Sequence, residues 1–179
     1  MATRFRAKWG VLLISAALLL AGCAGPPPLP PPAVAPPPPV RTPQEMALER
    51  ALGEFYGAPY LSGGSTPQGA DCSGLVQGVF QRAGVKVPRT VAQQFEEGRP
   101  VAPGDLRFGD VVFFNRNCQR EVFKGTLLAP PAWTSQVCHN GIYVGQGRFV
   151  HASPKGVFVS RLDADIWRAS FTGARRYLP

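Results

Sequence analysis

Cys72 stands in the run Gly69-Ala70-Asp71-Cys72-Ser73-Gly74, just ahead of apolar residues at helical spacing. The only two histidines, His139 and His151, follow in a short strand-turn-strand pattern, HNGIYVGQGRFVHA. A thiol in the first turn of a helix can be a nucleophile, because the helix N-terminus and a nearby imidazolium both favour the thiolate and lower the thiol pKa. A turn centred on Gln146 pairs His151 with Gly141 and puts both imidazoles on one face of the hairpin, with room above Gly141 for a ring. A two-residue turn shifts the register and sends His151 to the other face. A lone cysteine is more often a core residue than a nucleophile. One thiol and two imidazoles with compatible placement tip the reading towards hydrolysis.

The elements that must hold these groups are legible from periodicity. Residues 42–55 carry Met46, Ala47, Leu48, Ala51, Leu52 and Phe55 at helical spacing, and Thr42 with Glu45 three residues on forms a capping-box pattern. A Gly-rich loop, 59–68, precedes a second helix whose apolar face is Leu75, Val76, Val79, Phe80 and Ala83, with Asp71 as N-cap and Gly84 as its end. A third helix is expected over 91–97. After Gly109 the pattern changes to short β-rich runs at 111–114, 141–144, 148–152, 157–160 and 174–178. Helices followed by strands indicate an α+β fold.

The N-terminal end reads as a targeting device. Arg4, Arg6 and Lys8 precede an apolar stretch, 11–20, too short for a comfortable membrane span. The Leu20-Ala21-Gly22-Cys23 that follows resembles a bacterial lipoprotein box. That resemblance implies a signal peptide over 1–22, cleavage before Cys23, and acyl chains on its thiol and new amino terminus. Each buried methylene contributes roughly 0.8 kcal/mol, so such chains together anchor stably. An ordinary secretory signal is the alternative. Ala24 resembles the outer-membrane sorting signal of Gram-negative cells, which implies a lipoprotein facing the periplasm. Half of the 20 prolines fall in 26–39, so the segment 23–41 is expected as a stiff polyproline II spacer of roughly 3 Å per residue.

What remains, 42–179, is one domain's worth of chain. The formal charge of +8 falls to +5 without Arg4, Arg6 and Lys8, which suits an anionic polymer or membrane surface. The basic residues are scattered, so nucleic-acid binding is not expected.

Several segments occur in the order seen in one family. They are Pro59-Tyr60-Leu61-Ser62-Gly63-Gly64, Gly69-Ala70-Asp71-Cys72-Ser73-Gly74, Val87-Pro88-Arg89-Thr90, Gly109-Asp110-Val111-Val112-Phe113-Phe114, His139-Asn140-Gly141-Ile142-Tyr143-Val144-Gly145 and Phe149-Val150-His151-Ala152. The series, spanning nearly all of 51–178, resembles the NlpC family of papain-like cysteine peptidases that cut the peptides of bacterial peptidoglycan. The resemblance implies N-terminal helices packed on a central antiparallel sheet of five to six strands. It also implies Cys72 as nucleophile, His139 as general base and then acid, and His151 as the group that orients the base. Tyr60 matches a tyrosine near the thiol that, with the Cys72 N–H, can stabilise an oxyanion. Asp71 and Ser73 stand where substrate contacts are expected, with helix capping the plain alternative for Asp71. Gly63, Gly64, Arg89 and Asp110 read as structural. No cofactor or metal is implied, and the partners expected are peptidoglycan and a membrane, for a monomer. A non-catalytic envelope protein that binds peptidoglycan, and a thiol acyltransferase on a related fold, are the other readings.

Two features depart from the family pattern. Asn140 replaces a small apolar residue after the histidine and is expected to point away from the catalytic face. The 24 residues 115–138 form a longer connection than many relatives have, beside the cleft. This insertion holds Cys118 and Cys138. With Cys23 lipidated and Cys72 kept free, an oxidising compartment favours a disulfide between them. A zinc site made by Cys118, Cys138, His139 and His151 is the alternative, disfavoured because adjacent strand residues face opposite ways.

Overall fold

The computed structural model describes residues 40–116, 118 and 137–179. The expected signal peptide 1–22, the lipidated Cys23, most of the proline-rich spacer and the greater part of the 115–138 insertion lie outside the described residues. Among the described residues, no helix is long and apolar enough to cross a membrane.

Helix α1, Pro43–Phe55, begins with the capping box that its sequence carries: Glu45 N–H donates to Thr42 Oγ1 at 3.1 Å and Thr42 N–H to Glu45 Oε2 at 2.7 Å. It buries Leu48, Ala51, Leu52 and Phe55. A two-stranded antiparallel ribbon follows, β1 (Ser65–Thr66) and β2 (Gly69–Ala70). Helix α2, Cys72–Arg82, buries Leu75, Val76, Val79 and Phe80. At its end Gly84 takes φ +77°, and Val85 N–H reaches Phe80 O at 2.9 Å while Gly84 N–H reaches Gln81 O at 3.1 Å. This Schellman closure places glycine where a β-carbon would be strained. Helix α3, Val91–Glu97, is capped by Thr90 and Gln93.

The sheet is β3 (Arg99–Val101), β4 (Val111–Phe114), β5 (His139–Gly145), β6 (Arg148–Ser153), β7 (Gly156–Arg161) and β8 (Phe171–Arg176), ordered β3-β8-β4-β5-β6-β7 with antiparallel neighbours. The fold is α+β, as its segregated helix and strand patterns imply. The two-residue ribbon strands and β3 escaped the sequence reading because they are too short for periodicity. Pro100 in β3 is tolerated because that strand lies at the sheet edge. Strand β8 starts three residues before its expected position.

Both faces of the sheet are covered, which is why β4 reads as an unbroken apolar run. Val111, Phe113, Ile142 and Val150 join the helical core, whereas Val112, Phe114, Phe149 and Ala174 form a second cluster with Tyr143, Trp167 and Phe171. Burying each large side chain contributes roughly 1.5–3 kcal/mol.

The β5–β6 hairpin reaches its expected pairing by another route. The turn has two residues, Gln146 and Gly147, both at positive φ (53° and 66°), between the paired Gly145 and Arg148. By itself it would displace the register, but a bulge between Tyr143 and Gly145 absorbs one residue and restores it, so Tyr143 pairs with Phe149 and Ile142 with Val150. Continuing that register sets Gly141 against His151. A β-carbon on Gly141 would stand 3.0 Å from the His151 Cβ and 2.5 Å from Val150 O, so glycine is required there.

Asp110, read as structural, ties β8 to the loop before β4. Its carboxylate accepts from Arg176 Nε and Nη2, both at 2.7 Å, and from Arg107 N–H at 2.7 Å, with Asp110 1% and Arg176 11% exposed. Removing one partner of a buried pair strands the other charge. Asp110→Ala is therefore expected to destabilise the protein by about 3 kcal/mol or more, measured as a lower urea midpoint at unchanged slope; a midpoint shift equivalent to less than about 1 kcal/mol contradicts this account.

Candidate active site

The site begins at the N-terminus of α2. Asp71 in extended conformation is the N-cap, its Oδ1 accepting from Gly74 N–H at 2.7 Å, so Cys72 becomes the first helical residue. The same carboxylate takes Gly63 N–H at 2.8 Å and a two-pronged ion pair from Arg89, with Nη2 to Oδ2 at 2.6 Å and Nη1 to Oδ1 at 3.0 Å. Arg89 Nη1 also donates to Ser73 Oγ at 2.8 Å. Partial burial would raise the Asp71 pKa, but the Arg89 guanidinium and the two backbone N–H groups outweigh it and hold the carboxyl below its usual range. Arg89 is thus part of the site as well as the scaffold, which the sequence reading missed because its partner lies 18 residues away.

The glycine loop before α2 fits around it closely. Asp71 N–H donates to Gly64 O at 3.1 Å, and Gly64 O lies where a β-carbon on Gly74 would be. Tyr60 is bridged to Ala70 through the backbone and is 40% exposed. Its phenol and the Cys72 thiol both lie within electrostatic reach of Arg89, whose guanidinium is held above its ordinary value first by the Asp71 hydrogen bond.

His139 opens β5 and His151 sits in β6. His139 Nε2 and His151 Nδ1 are 2.9 Å apart, and His151 Nε2 is 2.9 Å from Ser160 Oγ on β7. With His151 Nε2–H donating to the Ser160 hydroxyl, His151 Nδ1 accepts the proton of His139 Nε2, leaving His139 Nδ1 as a free lone pair. Ser160 is a member that the sequence alone did not suggest. His151 pairs with Phe158, so Ser160 is its diagonal neighbour, a relation visible only once the β6–β7 register is known.

Aromatic rings close over this chain of imidazoles. Trp167 stacks on His139 with centroids 5.5 Å apart and planes 21° apart, and it meets His151 edge-on at 4.9 Å, while Phe158 lies 4.6 Å from His151 on β7. The electrostatics follow from that dryness. Burial, helped by His151 and Arg116, lowers the His139 pKa to about 3, and burial lowers His151 to about 4. Burial, together with the Asp71 carboxylate, raises Cys72 to about 11, against the weaker pull of backbone N–H groups that include that of Asn140. The expectation of a depressed thiol pKa is therefore reversed. Desolvation outweighs the helix terminus, so at rest the thiol and both imidazoles are neutral.

The structure brings His139 and His151 into hydrogen-bonding contact, and the backbone N–H of Asn140, the residue after His139 in β5, lies at the Cys72 thiol. Cys72 is unbridged, and Cys118 and Cys138 form a disulfide. That bond removes the two thiolates on which a zinc site would depend, and no group of three or more metal-binding side chains occurs among the described residues. Cys138 N–H donates to Phe114 O at 3.0 Å, so the disulfide fixes the insertion's end directly before His139. A neutral thiol, a base with a free lone pair and a hydrogen-bonded orienting group can perform nucleophilic acyl transfer, the proton moving as the sulfur attacks.

Comparison with known proteins identifies the family. The chain is 42% identical over 127 residues to the Gamma-DL-glutamyl hydrolase of Bacillus subtilis, covering 69% of this chain and 27% of that protein. It is 36% identical over 127 residues to the Murein DD-endopeptidase MepS/Murein LD-carboxypeptidase of Escherichia coli, covering 70% of this chain and 58% of that one. The crystal structure of an NlpC/P60 family protein from Bacillus cereus superposes with a TM-score of 0.62 at 28% identity, over 80% of this chain and 42% of that chain. The chain therefore spans between about a quarter and three fifths of the length of these relatives. The profile described as the NlpC/P60 family matches residues 57–176, from the turn before Tyr60 to the end of β8, and the chain belongs to that family.

Proposed function

We propose that this protein is a lipid-anchored peptidoglycan hydrolase, a cysteine endopeptidase that cuts peptide stems or crosslinks of murein. The observations that support the reading are the hydrogen-bonded series His139, His151 and Ser160 and an unbridged thiol on a helix N-terminus that meets the backbone N–H of Asn140, next to His139. The relatives named for murein and glutamyl peptide hydrolysis indicate the substrate class.

In this mechanism His139 Nδ1 takes the Cys72 proton as Sγ attacks the scissile carbonyl. The Cys72 N–H, which in the helix's first turn has no intrahelical acceptor, and the Tyr60 hydroxyl stabilise the oxyanion. His139 returns the proton to the leaving amine as the C–N bond breaks. Water, deprotonated by His139, then attacks the thioester and regenerates the thiol. His151 orients the base and spreads the charge of the imidazolium. Asp71 and Ser73 flank the nucleophile, where we place the contacts to the peptide. Acyl groups on Cys23 and the proline-rich spacer hold the domain at the periplasmic face of the outer membrane, within reach of the wall.

Incubation of the protein with purified peptidoglycan and chromatography of the soluble products tests the reaction. Wild type is expected to release new peptide fragments, Cys72→Ala none, and His139→Ala about 10²–10⁴-fold fewer per unit time; identical fragments from Cys72→Ala would sink the proposal. Mass spectrometry of the envelope-bound protein tests the anchor, with diacylglyceryl mass expected at Cys23 and its loss in Cys23→Ala. The raised thiol pKa makes a separate prediction. Without substrate, alkylation of Cys72 by iodoacetamide is expected to climb about tenfold per pH unit between pH 7 and 10. A plateau beginning below pH 7 would instead reveal a preformed thiolate-imidazolium pair.

A further inference from the structure

Gln94 and Asn140 are both fully buried polar residues that the mechanism does not use. Gln94, on α3, donates through Nε2 to Ser73 O at 3.0 Å and to Pro88 O at 2.7 Å, and its Oε1 accepts from Asn140 Nδ2 at 2.5 Å. The chemistry fixes both amide orientations. Two backbone carbonyls can only accept, so the amide nitrogen of Gln94 must face them. Its oxygen is then left for Asn140, which must present its own nitrogen.

The bridge joins the two halves of the catalytic pair at adjacent residues. Ser73 follows Cys72 in α2, and Asn140 follows His139 in β5. Asn140 turns to the side of β5 opposite His139, as strand alternation requires, and there it meets Gln94 of α3, which in turn holds the carbonyl of Ser73 in α2. Its backbone N–H touches the Cys72 thiol, so both its main chain and its side chain address the same helix start.

A stability role does not account for the arrangement. Asn140 Oδ1 is buried and has no hydrogen-bond partner among the described residues, a desolvation cost that a small apolar residue would avoid. An apolar pair at 94 and 140 would fill the same space without that orphaned acceptor.

We propose that Gln94 and Asn140 are positioning residues, an amide bridge that sets the separation and angle between the Cys72 thiol and the His139 imidazole. The proposal rests on the cysteine-peptidase reading of the same site. The bridge requires a donor at position 140 and an acceptor at Gln94 Oε1. Asn140→Asp, of the same shape, cannot donate as the anion but can as the acid.

The experiment uses the full chain and four proteins besides wild type: Asn140→Asp, Asn140→Val, Gln94→Leu and the double variant Asn140→Val/Gln94→Leu. Melting temperature, kcat and KM on soluble muropeptide, and the distance from Cys72 Sγ to His139 Nδ1 in a crystal structure are measured on each. Expected is a roughly tenfold fall in kcat for each single apolar variant with KM changed less than twofold, and a double variant that melts at or above wild type yet is no faster than either single. For Asn140→Asp, kcat relative to wild type is expected to rise several-fold as the pH falls from 8 to 5. The thiol–imidazole distance is expected to differ from wild type in each apolar variant. A double variant with wild-type kcat and wild-type distance, losses that multiply, or a flat pH ratio for Asn140→Asp would overturn the bridge. If wild type fails to cut muropeptide, the hydrolase reading falls, and the distance series still decides the positioning claim. Should a single variant fail to fold, the isosteric Asn140→Asp and the double variant carry the decision.

Discussion

The Asp71 carboxylate is the interaction on which the rest of the site depends. Its two oxygens satisfy a helix-cap N–H, a loop N–H and both prongs of a guanidinium. Each contact serves a different part of the catalytic geometry. The cap makes Cys72 the first helical residue, the Gly63 contact folds the glycine loop and Tyr60 towards it, and Arg89 ties in the segment leading to α3. One ionised group performs these tasks because Arg89 neutralises it while half-buried, which also limits how far its charge disfavours a thiolate next door.

The second constraint is dryness. Four aromatic rings and a serine surround the imidazoles, so neither histidine carries a positive charge at rest. A neutral thiol and neutral imidazoles leave no preformed nucleophile. In the reaction we propose, charge develops only when the carbonyl is present, in surroundings where each fixed dipole counts for more than it would in water. The hairpin bulge and Gly141 belong to the same design, since they bring His151 onto the face of His139 at hydrogen-bonding distance.

Local signals made much of the architecture readable in the chain. Thr42 with Glu45, Asp71 ahead of an apolar helical face, and Gly84 at its end each state a boundary through a short-range hydrogen bond or a positive φ, and the structure places α1 and α2 at those boundaries. Short elements and long-range partners were not readable. Residues 99–101 form a strand only because β8 offers an edge, and Arg89, Ser160, Gln94 and Trp167 acquire roles through contacts with residues far away in the chain.

By itself the sequence determined which groups are available for chemistry and where helices must start, since caps, glycine positions and apolar periods act over a few residues. Family resemblance then named the thiol and the two imidazoles. Only the tertiary structure decided the protonation state of that trio. A pKa depends on burial and on every charge nearby: burial and the Asp71 carboxylate reversed what a helix N-terminus alone would have given Cys72, and burial among aromatic rings keeps both histidines neutral. Register was decided at the same level. A two-residue turn and a one-residue bulge cancel, and that cancellation comes from the pairing of β5 with β4 and β6 rather than from the residues of the turn.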